Sequence, residues 1–189
     1  MPPTPTAFPR ALSPLIPTRA LPGIYTALGP KLLPSWFLWA LEPTLKSGEQ
    51  IFWLDAGNSF DAYGASYAAK SMGWDPKEIL KRIQLARPFN LFQLETMVAK
   101  KIPAKWHGEP VIISDPFPLF YEEDVPAPEA QKIFNNVLKA MQAFPALWLV
   151  LAVERQAPEG REQWLPQLLK HSNAVANLAG PEHLHLEKR

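Results

Sequence analysis

The chain contains no cysteine, which excludes disulfides, thiolate metal sites and a cysteine nucleophile. It has no dominant charge either. Nineteen Lys and Arg against eighteen Asp and Glu leave a formal +1 over 189 residues, too little for a global field that would gather nucleic acid or an anionic membrane. Long apolar runs are missing: the longest, over 143–153, is broken by Pro145 and falls far short of the ~20 residues that span a bilayer. Glycine is scarce, at nine residues, and none of the nine is followed by lysine. That removes the G-x-x-x-x-G-K-[ST] loop whose backbone amides wrap a nucleotide's phosphates.

Proline and tryptophan are abundant, with 22 and seven residues. Pro2, Pro3, Pro5, Pro9, Pro14, Pro17 and Pro22 crowd residues 1–22. Each removes a backbone donor and clashes with the preceding turn, so an extended arm is expected there. The same prolines interrupt the apolar core a signal peptide needs. Residues 23–189 are expected to form one domain, long enough to bury roughly 70% of its unfolded surface. A soluble, cytoplasmic protein is the expectation.

Short β-prone runs alternate with helical patterns along this domain. Strands are predicted at 23–28, 51–55, 82–86, 110–115, 147–153, 174–178 and 183–186, and helices at 32–45, 62–72, 75–81, 91–102, 128–144 and 162–171. The inner strands are apolar throughout, as in Leu147-Trp-Leu-Val-Leu-Ala-Val153, which is the mark of strands covered on both faces. The predicted class is α/β, with a mainly parallel sheet flanked by helices on both faces. The last two strands, joined by Ala179-Gly180-Pro181, are expected to form an antiparallel edge hairpin.

Several segments in this order carry a resemblance. Leu54-Asp55-Ala56-Gly57-Asn58-Ser59-Phe60 closes the second strand, Arg87-Pro88-Phe89-Asn90 leads into a helix, and Val111-Ile112-Ile113-Ser114-Asp115 is an apolar strand ending in a carboxylate. Together with the closing segment 173–188, they resemble the ATPase core of RecA-family recombinases, specifically the archaeal and eukaryotic recombinases and their paralogues. The resemblance makes Asp115 a remnant of the Walker B aspartate and Asp55 a remnant of the signature strand. It implies a RecA-like fold and a place in DNA recombination or repair.

The departures from that family bear on activity. Where a phosphate loop would sit, the chain reads Gly29-Pro30-Lys31-Leu32-Leu33-Pro34-Ser35, with two prolines removing donors and two leucines adding apolar bulk. The family's water-orienting glutamate falls on Gly57, which has no side chain. Losing both leaves hydrolysis without a phosphate cradle or a positioned water. The expectation is a non-catalytic chain with no cofactor and no metal, acting as an accessory or scaffold protein through protein contacts. Two other readings stand beside it: a single-strand nucleic-acid module and a degenerate nucleotide-binding ATPase.

Candidate interface residues come from two places. Phe8-Pro9-Arg10-Ala11 resembles the F-x-x-A motif with which these recombinases dock on a neighbouring subunit, an aromatic anchor with a small residue packed flush beside it. Trp36, Phe37 and Trp39 would form an aromatic interface if their helix turned them outward; otherwise they belong to the core. Lys100, Lys101, Lys105 and Trp106 combine charge with an aromatic, as single-strand binders do, although lysines closing a helix also complement its dipole. The segment 116–124 is read as an acidic, proline-stiffened loop ending in Glu122-Glu123-Asp124. His183 and His185 share a strand face with no third metal ligand in view.

Overall fold

In a computed structural model, residues 21–41, 44–45, 48–71, 73–180 and 183–188 are described. Among these residues seven strands form one sheet: β1 (Gly23–Gly29), β2 (Ile51–Asp55), β3 (Ile83–Ala86), β4 (Val111–Ser114), β5 (Leu147–Val153), β6 (Ala174–Gly180) and β7 (His183–Lys188). Their spatial order is β3-β2-β4-β5-β1-β6-β7. The strands from β3 to β6 are parallel throughout. This corrects the expectation that the last two strands form an antiparallel edge hairpin set apart from the parallel sheet. β6 is a member of the parallel set, aligned with β1 from Tyr25 opposite Ala174 to Leu28 opposite Asn177, so the parallel sheet runs through six strands. Among the described residues only β7 pairs antiparallel, along β6 and outside that set. The reason lies in α7 (Trp164–His171), which carries the chain back along the sheet and delivers β6 in the same direction as β1.

The other helices are α1 (Leu33–Ala40), α2 (Ala62–Ser71), α3 (Pro76–Leu80), α4 (Leu91–Thr96), α5 (Phe117–Tyr121) and α6 (Ala127–Ala143). They cover the sheet on two sides. One layer, with α1, α2 and α3, packs Phe37, Leu41, Ala65 and Ala69 against Trp53, Ile112 and Leu149. The other, with α4, α5, α6 and α7, packs Leu94, Phe120, Ile133, Val137 and Trp164 against Phe52, Leu54, Ile113 and Val150. Alternate residues of one strand therefore serve opposite cores, and β2, β4 and β5 are buried along their whole length.

Local chemistry sets the boundaries. Asp75 caps α3 by accepting from the Lys77 amide (2.9 Å), with Pro76 at the first helical position. Asn90 caps α4 by accepting from the Gln93 amide (2.9 Å). Past Thr96 the helix widens into one π-type turn over Met97–Lys101, closed by the Ile102 amide donating to the Met97 carbonyl (2.9 Å). The segment after β4 departs from expectation: its first half is the helix α5, with Phe117, Leu119 and Phe120 buried, rather than an acidic loop. Aromatic packing prevails there, and only Glu122, Glu123 and Asp124 stay exposed. Buried Arg161 ties this region down by donating to the Phe120 and Val125 carbonyls (both 2.7 Å) while lying over the Trp164 ring.

Candidate functional site

Parallel strands point their C-terminal ends to one edge of the sheet, the usual seat of ligands in such folds. Four of those ends bring charged residues there: Asp55 ends β2, Arg87 follows β3, Asp115 follows β4, and Arg155 lies two residues past β5. The strand order sets β3 beside β2 and β5 beside β4, so each aspartate has an arginine-bearing neighbour.

Asp55 is fully buried and fully engaged. Its Oδ2 accepts from Arg87 Nε (3.0 Å) and Nη2 (2.8 Å). Its Oδ1 accepts from the amides of Ser59 (2.7 Å) and Phe60 (3.2 Å) and from Ser114 Oγ (3.1 Å). Ser114 Oγ in turn accepts from Trp53 Nε1 (2.9 Å), linking the core tryptophan to the carboxylate. Asp115 is also buried, at 4% exposure, and its backbone is left-handed with φ of +49°. Its Oδ2 pairs with Arg155 Nη2, while Oδ1 has no partner among the described residues. Burial pushes its carboxyl above the usual range, against the pull of Arg155. The nearby phenol of Tyr121 is likewise pushed up by burial.

Gly57 lies against Asp115. A Cβ at position 57 would fall 2.6 Å from Asp115 Cβ and 2.8 Å from its Oδ2. A side chain at position 57 would therefore overlap Asp115, and the site would have to shift to admit one. Upstream, Pro30 and Pro34 have no N–H, and the Leu33 amide donates to the Pro30 carbonyl (2.8 Å). Among residues 30–34, that leaves Lys31 and Leu32 as donors, where a phosphate loop offers an unbroken series. Among the described residues, no group of three or more His, Cys, Asp and Glu is arranged to hold a metal ion.

A second region lies at the far edge of the sheet. Among the described residues, β3 pairs only with β2 and has no strand on its outer side. Beside it opens a cavity of about 570 Å³. Phe52, Leu54 and Ala86 form its floor, Met97 and Ile102 an apolar wall, and Lys100, Lys101 and Lys105 its basic rim. The three lysines are exposed, and none has an ion pair among the described residues.

The sequence-predicted residues distribute unevenly over these regions. Asp55 and Asp115 reach the strand-end site. Lys100, Lys101 and Lys105 gather at the edge cavity, but Trp106 does not join them as a stacking surface. Its half-buried ring packs edge-on against Phe144 at 5.0 Å, and its Nε1 donates to the Glu109 carbonyl (2.6 Å). Phe37 is corrected from interface candidate to core, since it is fully buried beneath the sheet's first helical layer. The side chains of Trp36, Trp39, His183 and His185, and the arm residues Phe8 and Ala11, lie outside what is described. Sequence reasoning missed Arg87 and Arg155 as partners of the two aspartates. The available signal was an arginine just past the end of a strand, which becomes legible only once strand order is known.

No protein-family model matches the chain, and no curated protein matches it. The fold is a generic Rossmann-like and RecA-like one, a six-stranded parallel sheet flanked by helices. No helix among the described residues is long and apolar enough to cross a membrane.

Proposed function

We propose that this chain is a RecA-like domain without motor activity, an accessory or scaffold protein that works by binding protein partners. The assignment to DNA recombination or repair rests on the family resemblance. One observation carries the reading: both strand-end carboxylates are held by arginines of the same chain, while Asp115 fills the space a side chain at position 57 would need. A guanidinium at each carboxylate stands where a metal–nucleotide complex would have to compete. The edge of the sheet offers the alternative surface. An extended segment of a partner can add its main chain to the free side of β3 and seat an aromatic anchor in the adjoining cavity.

Thermal unfolding with and without millimolar MgATP tests the first half of the reading. A ligand present at 100 times its Kd stabilises by about 2.7 kcal/mol, so an unchanged Tm marks the absence of useful binding. A nucleotide-dependent rise that vanishes in Asp115→Ala would support the degenerate-ATPase reading instead. Binding of a neutral, Phe-anchored extended peptide, lost when Ala86→Phe fills the cavity, tests the second half. Binding to oligo-dT that weakens steeply with salt would favour the nucleic-acid reading.

A further inference from the structure

The rim of the edge cavity carries information about what enters it. Lys100, Lys101 and Lys105 all border the opening, no acidic residue lines it, and the three ammonium groups have no ion pair among the described residues. The π-type turn over Met97–Lys101 places two of these lysines in the widened segment whose Met97 forms the apolar wall. Single-turn π segments recur at functional sites. Beside the lysines, β3 presents a side that has no strand partner among the described residues. The apolar floor, open strand edge and purely cationic rim together describe the complement of an extended peptide.

We infer that the occupant is a segment of another protein, with an apolar anchor flanked by Asp or Glu, and not the N-terminal arm of a second copy. The arm supplies the contrast. Residues 1–22 contain Arg10 and Arg19 and no acidic residue, so although the arm carries Phe8 and Ala11, its charge has the same sign as the rim. Like charges brought together at an interface select against that partner, and opposite charges select for one. Main-chain pairing along β3 would supply affinity without discrimination, the cavity would choose the anchor, and the lysines would choose the flanks. A small amphipathic anion could satisfy the floor and rim but would leave the edge of β3 unused. This inference rests on the docking role proposed for the cavity and adds the chemistry of the partner.

Fluorescence anisotropy with the full chain and four labelled probes tests it. The probes are an acidic peptide, Asp-Glu-Phe-Thr-Val-Ala-Glu-Asp; its twin with lysine at every acidic position; a serine twin; and the chain's own residues 1–22. The acidic peptide is expected to bind about tenfold or more tighter than the lysine twin at low salt, as three rim pairs of ordinary strength allow. Replacing Lys100, Lys101 and Lys105 together by alanine should bring the two within about twofold. Ala86→Phe, or Met97→Trp filling the cavity from the other wall, should abolish binding of every peptide, with circular dichroism confirming that each variant is folded.

If the arm or the lysine twin binds as tightly as the acidic peptide, and cavity filling still abolishes binding, the acidic-partner inference is overturned while the docking role stands. If no peptide binds, or if cavity filling changes nothing, both fall. Decanoate bound in the cavity while no peptide binds would make this a small-anion site. Oligo-dT displacing the acidic peptide at equal strength would overturn the inference in favour of nucleic acid.

Discussion

The two ends of this molecule's charge distribution are built on opposite plans. At the C-terminal edge of the strands, cations and carboxylates face one another across neighbouring strands: Arg87 on Asp55, Arg155 on Asp115. At the β3 edge, Lys100, Lys101 and Lys105 surround an apolar cavity with no counterpart among the described residues. Charges paired within the fold serve the fold, and charges left facing solvent around a cavity are free to serve a visitor. A site in present use for a metal–phosphate ligand would keep its carboxylates open and would look unlike the first region. A site awaiting an acidic segment would look like the second.

The contrast can be broken at several points, and the strand-end site is the most sensitive of them. Arg87→Ala should destabilise the chain by about 2–4 kcal/mol, because it strands a fully buried carboxylate whose remaining partners are neutral donors. Urea unfolding measures this, and in the double variant with Asp55→Asn much of the loss should be recovered. Gly57→Ala should cost about 1–3 kcal/mol by the same assay, since the new methyl overlaps Asp115 and the site must shift to admit it. A variant as stable as the parent would mean that the strand-end site is looser than the close approach of Gly57 and Asp115 implies.

The third point concerns pH. Burial raises the Asp115 carboxyl in the folded chain, so the native state holds that proton more firmly than the unfolded one. The contribution is fully present below the ordinary carboxylate pKa of about 4 and is lost as pH rises through the higher folded value. Relative to Asp115→Asn, the parent should therefore lose stability as pH climbs through that window and level off above it. Paired urea melts from pH 3.5 to 7 measure the difference, and a parent that gains stability relative to Asp115→Asn as pH rises contradicts the sign. Smallest of all, Lys105→Glu should shift stability by less than about 0.5 kcal/mol, and Lys100→Glu and Lys101→Glu, which oppose the dipole of the helix they close, by no more than about 1 kcal/mol each. A large loss from any of them would erase the distinction between the two regions.

Much of the architecture was legible from residue pattern. The continuous apolar runs of β2, β4 and β5 announced strands buried on both faces, and Asp75-Pro76-Lys77-Glu78 marked a helix start that the structure retains. Placement of the last strands was less legible. A turn signal at 179–181 indicates that two strands follow one another, but it does not reveal that the first has already joined the parallel set. Similarly, Phe117, Leu119 and Phe120 are too few residues to show a helical period, so only their burial under α6 and α7 makes α5 evident. At the site, Asp55 and Asp115 were readable as strand-end carboxylates. Their arginines were not, because pairing between Asp55 and Arg87, 32 residues apart, depends on which strands end up adjacent. The edge cavity was half readable: the lysines were visible as a cluster, but the apolar floor beneath them comes from residues of β2 and β3 distant in the chain.

The contact between Gly57 and Asp115 has an evolutionary corollary. Glutamate could not be placed at position 57 by a single mutation without cost, because the newcomer would first have to evict Asp115 from the ground it occupies. A larger side chain at 57 therefore requires a prior change at 115, so substitutions at the two positions are accepted more readily in one order than in the other.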